Sequence, residues 1–247
     1  MYEKLKNAVV LITGSSRGIG RATLEEFLHY GAKVVLHSRL PVKELNTIVK
    51  KYPKGCVYPI SADLSLPENC KFLLDSVIKK FGKLDILVNN AGTIYREQEV
   101  FPNSPVWQDT LQVNLLASVE LIRLAIPNLL KSKIASIVNI SSIYGNVGTL
   151  ETLAYSISKG GINTLTKTLA KELAPKIRVN AIAPGNVNTE LTQSGGEGIT
   201  QYFDSVTPLK RSATPQEIAS GIVFLASPAA SFITGQILTI DGGYSIR

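Results

Sequence analysis

Short, continuously apolar runs alternate from end to end of the chain with longer stretches whose apolar positions recur every three or four residues. Ala8-Val9-Val10-Leu11-Ile12 has no polar alternation, the pattern of a strand buried on both faces. Helical spacing follows over about residues 18–30. The same reasoning predicts strands over 33–37, 56–61, 85–88, 136–140, 177–183 and 237–240. It predicts helices over 42–51, 67–81, 106–130, 152–173 and 215–226. Strands apolar throughout belong in a parallel sheet covered by helices on both faces. The expected fold class is therefore α/β, one doubly wound domain over residues 1–247. One segment, 186–211, breaks the rhythm; it carries Gly195, Gly196 and Gly198 and is expected to form a substrate flap.

Composition narrows the class. Of 247 residues, 45% are hydrophobic and 18% charged, a globular balance that excludes a disordered chain. No apolar run approaches the roughly 18 residues of a membrane helix. Met1 to Lys6 lead into the first strand without the apolar region of a signal peptide. Cys56 and Cys70 form no CxxC and read as reduced thiols, so a cytoplasmic location is expected. The net charge of +7 comes from scattered Lys and Arg with no run longer than two. That leaves no basic stripe for nucleic acid, though it favours encounter with an anionic cofactor or an acidic carrier protein.

Gly14-Ser15-Ser16-Arg17-Gly18-Ile19-Gly20 lies between the first strand and the first helix. Glycines there let the backbone approach a pyrophosphate, and a helix N-terminus offers N–H donors with partial positive charge. The spacing is Gly-x3-Gly-x-Gly rather than the common G-x-G-x-x-G. Gly14 to Gly18 also matches the G-x-S-x-G elbow of hydrolases, which needs an acid and then a histidine later in the chain. The only histidines are His29 and His37, and none follows, so hydrolysis is set aside.

The second strand ends His37-Ser38-Arg39, where an NAD-binding fold would carry a carboxylate. Arg39 can pair with a 2′-phosphate, Ser38 can hydrogen-bond it, and Arg17 can reach it from the glycine-rich turn. The expected cofactor is NADP(H). Further along, Tyr155 and Lys159 stand four residues apart at the start of a predicted helix, on one face. A free tyrosine has a pKa of about 10. A nearby ammonium favours the phenolate, so Tyr155 could exchange a proton with a carbonyl oxygen that accepts hydride. Ser142, thirteen positions earlier (155 − 142 = 13), could orient that oxygen at the end of the fifth strand.

With these motifs the chain resembles the short-chain dehydrogenase/reductase family over its whole length. Asn89-Asn90-Ala91-Gly92, Asn114, Pro184-Gly185 and Asp241-Gly242-Gly243 complete the pattern. The resemblance implies a Rossmann-like sheet of seven parallel strands and a homotetramer joined helix to helix. It implies Tyr155 as general acid/base, Ser142 positioning the carbonyl, Lys159 on the nicotinamide ribose and Asn114 holding a relay water. It further implies Asp63 and Leu64 beside the adenine, Asn90, Ala91 and Gly92 near the ribose, and Val187 and Thr189 after Pro184-Gly185 at the carboxamide. A noncatalytic NADP sensor would lack the tyrosine or the lysine, and both are present.

Within the family the chain is most similar to 3-oxoacyl-[acyl-carrier-protein] reductases, through Thr207 to Arg211, Phe224 to Ser227 and the Asp241-Gly242-Gly243 ending. The expected substrate is a ketone, small or carrier-bound. Thr93-Ile94-Tyr95-Arg96-Glu97-Gln98, Asn186 and Asn188 depart from that branch beside the expected pocket. A free sugar, polyol, steroid or secondary-metabolite ketone stays open.

Overall fold

The structure, a computed structural model, describes residues 2–95, 104–193 and 197–246. Gly195, Gly196 and the Arg96-Glu97-Gln98 stretch lie outside the described residues. Seven strands form one sheet: β1 (Val9–Ile12), β2 (Lys33–Ser38), β3 (Val57–Ser61), β4 (Ile86–Asn89), β5 (Ser136–Ile140), β6 (Arg178–Pro184) and β7 (Ile237–Ile240). The order is β3-β2-β1-β4-β5-β6-β7, and every pairing is parallel. The chain reverses its direction of winding between β1 and β4, which opens a crevice at the carboxyl ends of those two strands.

Alternate residues of each strand face opposite sides, which splits the core in two. Val10 and Ile12 of β1 pack with α1 (Gly18–His29), α2 (Val42–Val49) and α10 (Pro215–Ala226) through Leu24, Phe27, Leu45, Ile218 and Ile222. Val9 and Leu11 pack on the other side with α3 (Glu68–Phe81) and α5 (Ala117–Leu129) through Leu73, Val77, Leu121 and Ala125. Ala170 of α7 (Leu153–Leu173) joins that second cluster. Helices thus cover both faces, as the unbroken apolar strands predict.

The helix expected over 106–130 is not uniform. It runs as α4 (Ser104–Leu111), a π turn (Gln112–Leu116) and α5. By length and composition Pro105–Leu129 is apolar enough to cross a membrane, against the expectation from run length. Leu121, Ile122, Ala125 and Leu129 bury that apolar character in the core. Segment 186–211 holds two helices that spacing did not predict, α8 (Glu190–Gln193) and α9 (Glu197–Val206). A short α6 (Tyr144–Val147) follows β5.

Candidate active site

The glycine-rich turn is shaped by bonds from β4. The Thr13 hydroxyl accepts hydrogen bonds from the backbone N–H of Asn90 and of Ala91, both at 2.9 Å. The Asn90 amide donates back to the carbonyls of Thr13 (2.8 Å) and Gly14 (3.0 Å). This lacing brings the backbones so close that a Cβ on Gly20 would stand 2.4 Å from the Gly14 carbonyl oxygen. Gly14 sits at φ +65°, a left-handed conformation open to glycine. The first turn of α1 carries no acidic residue, and Arg17 at its N-cap makes no side-chain cap. Its N–H groups and the helix dipole remain available for an anion, as a pyrophosphate requires.

Gly14, Ser16, Arg17, Gly18, Ile19 and Gly20 line a cleft over the switch point. Its walls continue through Ser38, Arg39, Asp63 and Leu64 on one side and Asn90, Ala91 and Gly92 on the other. Pro184, Gly185, Val187 and Thr189 close it beyond β6, beside Ser142, Tyr155 and Lys159. Two expected residues lie elsewhere. Ser15 is fully buried, its hydroxyl donating to the Ile12 carbonyl at 2.9 Å, so it stiffens the turn from beneath. Asn114, 1% exposed in the π turn, donates both amide hydrogens, to the Thr93 carbonyl (2.9 Å) and the Ser158 hydroxyl (3.2 Å). Its oxygen accepts from the Thr93 N–H at 2.8 Å, so the side chain brackets the backbone of the loop after Gly92.

At the adenine side, Asp63 is buried enough to raise its carboxyl, yet the Ser65 N–H and the Arg39 charge hold it below the usual range. The Ser38 hydroxyl accepts from Ser16 at 3.1 Å, joining β2 to the glycine-rich turn. Arg17 departs from expectation. Its guanidinium pairs with Glu190 of α8 at 2.7 Å instead of facing a 2′-phosphate position alone. Both partners are exposed, and the pair spans the mouth of the cleft from turn to flap.

At the reactive end, the Lys159 ammonium is buried, donates to the Ile140 carbonyl at 2.7 Å and stands 5.5 Å from the centre of the Tyr155 ring. Burial lowers its pKa to about 8. Burial also raises the Tyr155 phenol above its ordinary value, while a hydrogen bond with Ser142 pulls the other way. Burial thus opposes the lowering expected from the Lys159 ammonium and a cationic nicotinamide ring, and favours a neutral phenol able to give a proton.

A second cavity of about 460 Å³ meets the first at Ser142, Tyr155 and Gly185. Tyr144, Tyr202, Phe203 and Tyr244 give it aromatic walls, and Glu151 is the one Asp, Glu, Lys or Arg lining it among the described residues. Sequence reasoning missed most of this wall, because α6 and α8 are only four residues long and α9 lies in the glycine-rich segment that broke the rhythm. It also missed Gly145 and Asn163. A Cβ on Gly145 would lie 2.8 Å from the Lys159 carbonyl carbon. Asn163 accepts from Ser141 at 2.6 Å and so ties the Ser142 segment to α7. The usable signal was Asn139, Ser141 and Ser142, polar residues at the end of an apolar strand.

Comparison with known proteins agrees with this geometry. A family model described as enoyl-(acyl carrier protein) reductase matches residues 14–245. A 3-oxoacyl-[acyl-carrier-protein] reductase of Thermotoga maritima is 37% identical, the alignment covering 98% of this chain and 100% of the relative. Glucose 1-dehydrogenase 2 of Bacillus subtilis is 35% identical over 100% of this chain and 98% of its own. The ligand-free structure of an aldohexose dehydrogenase from Thermoplasma acidophilum superposes with a TM-score of 0.91 at 34% identity, covering 100% of this chain and 97% of the other. A dinucleotide cleft over the switch point, a tyrosine–lysine–serine group at its end and these full-length matches together make the chain a member of the short-chain dehydrogenase/reductase family, oxidoreductases that use a nicotinamide cofactor.

Proposed function

We propose that the protein is an NADP(H)-dependent carbonyl reductase that converts a 3-oxoacyl thioester to its 3-hydroxyacyl form. The observation that carries the reading is the meeting of two cavities at Ser142 and Tyr155, one built for a dinucleotide and the other walled by aromatic side chains. When bound, the nicotinamide supplies the hydride. The chain's own residues do the rest. Ser142 donates a hydrogen bond to the ketone oxygen and fixes its direction. Tyr155, neutral at physiological pH, gives its phenolic proton to the same oxygen as negative charge develops there. Lys159 would hold the ribose hydroxyls and, as a cation 5.5 Å from the ring centre, favours the phenolate left behind. Asn114, whose side chain brackets Thr93, is read as the residue that holds a relay water at this end of the site.

Arg39 supports NADP(H) over NAD(H): it is exposed at the end of β2, where a carboxylate would repel a 2′-phosphate. Val187 and Thr189 are read as carboxamide contacts and Asp63 and Leu64 as the adenine wall. Residues 186–211 form the substrate flap of a single catalytic domain, with the Arg17–Glu190 pair as its latch. The enzyme is read as a cytoplasmic homotetramer. Exposed Leu116 and Val119 on the long helix and Ile157 on α7 supply apolar surface for such an assembly.

A second reading, oxidation or reduction of a free sugar or polyol, is favoured by the polar lining at Asn186 and Glu151. The deciding experiment follows NADPH oxidation with an acetoacetyl thioester, on carrier protein and on a small thiol, with NADH in parallel. Turnover of the carrier form with NADPH is the expected result. NADPH binding without thioester turnover, together with reduction of NADP+ or NAD+ by aldohexoses or polyols, establishes the second reading instead.

A further inference from the structure

Proton transfer makes no use of the most deeply buried titratable ring beside the cleft. His37, the fifth residue of β2, is 2% exposed. Its Nδ1 accepts a hydrogen bond from the Gly14 N–H at 3.0 Å, and its Nε2 lies 3.1 Å from the Ala62 carbonyl oxygen. A backbone N–H can only donate, so the Nδ1 lone pair is committed and the ring proton belongs on Nε2, donating to Ala62. The His37 backbone is engaged as well: its N–H donates to the Ser15 hydroxyl at 3.0 Å and its carbonyl accepts from the Ser15 N–H at 2.8 Å.

One residue therefore fastens two walls that belong to different crossovers. Gly14 opens the turn that cradles an anion, and Ala62 immediately precedes Asp63 and Leu64 on the opposite wall. No other side-chain hydrogen bond among the described residues joins that turn to the end of β3. We infer that His37 is a positioning residue for the adenosine half of the cofactor, setting the gap between the Gly14–Gly20 turn and the Asp63–Leu64 wall through its neutral imidazole. Without the ring, the Gly14 N–H and the Ala62 carbonyl lose the partner that joins them, and the two walls are free to drift.

The inference rests on the nucleotide reading of the cleft, and its test separates the two. Fluorescence titration gives the Kd of NADPH, and calorimetry that of adenosine 2′,5′-bisphosphate, for the wild type and for His37→Leu, His37→Asn and His37→Gln. The Asn oxygen can take the place of Nδ1, and the Gln amide nitrogen can take that of Nε2. His37→Leu is expected to weaken both ligands by a common factor on the order of tenfold, with kcat at saturating NADPH within about twofold of wild type. His37→Asn is expected to recover most of the loss. An unchanged Kd in His37→Leu overturns the inference, as does a fall in kcat with no change in Kd. Should His37→Leu fail to fold, His37→Ala takes its place in the same titrations, and an unchanged Kd there overturns the inference equally. A wild-type protein that binds neither NADPH nor NADH removes the cofactor reading itself, a result distinct from any of these.

Discussion

Tyr155 shares the reactive end of the cleft with a lysine whose pKa is brought to about 8 by burial alone. Because burial also raises the phenol, it favours the protonated form, the state that the proposed reduction requires of an acid. Tyr155→Phe removes that proton and leaves the ring's packing in place. Reductase activity is expected to fall on the order of 10³-fold while NADPH binding is retained, measured by steady-state rates beside a fluorescence titration. His37 makes a separate prediction about stability. Burial lowers its pKa from 6.5 to about 4, against weaker upward pulls from the Ala62 carbonyl and the Asp63 charge. The unfolded chain thus takes up the proton first. The contribution of the neutral ring is complete above about pH 6.5 and is lost as pH falls toward 4. Denaturation midpoints at pH 7 and pH 5 should show the wild type losing stability over that interval by more than His37→Asn, which has no imidazole to protonate.

Among the elements, the β5–α6–α7 connection carries the most consequence for geometry. Ser142 reaches the cleft because Gly145 lets α6 lie directly on the backbone of Lys159, and because Ser141 bonds Asn163. In Gly145→Ala the added methyl meets backbone at 2.8 Å and 2.9 Å, so the turn must lift from α7. That change is expected to cost about 1–3 kcal/mol of stability and to lower kcat while NADPH affinity holds, read by thermal denaturation and kinetics. The strands and long helices of the fold were legible from sequence because their apolar runs are long. So was the reactive group, because Tyr155, Lys159 and Ser142 are spaced by secondary structure. The aromatic wall was not: Tyr144, Tyr202 and Tyr244 sit on a four-residue helix, a helix within the glycine-rich segment and a short terminal turn. Nor was the pairing of Arg17 with Glu190, which depends on tertiary placement across 173 positions of chain.

For the whole molecule, one sheet divides the labour. Strands β1 to β4 and their loops shape the end of the cleft lined by Gly14, Ser38 and Asp63, and β5 and β6 lead to the end lined by Ser142 and Pro184. The long helix and α7 lie side by side on one face and expose Leu116, Val119 and Ile157, at 50%, 39% and 46%. A stable homo-oligomer buried through this face should respond to a charge placed there. Ile157→Glu is expected to lower the mass measured by light scattering below that of the wild type, with the secondary structure unchanged by circular dichroism.

The π turn between α4 and α5 also sets the two halves of their common helix out of phase. A π turn holds one residue more than an α turn. Each residue of an α-helix advances the side chains by roughly 100° around the axis. Deleting one residue between 112 and 116 would restore an unbroken helix, and the two halves could then no longer both keep their present bearings. If Leu121 and Ala125 stay against the sheet, Asn114 swings off Thr93 by about a quarter of a circle. If Asn114 stays, the apolar stripe of α5 turns toward solvent. The extra residue is therefore what lets a helix designed to pack against a sheet also hold the edge of a reaction site.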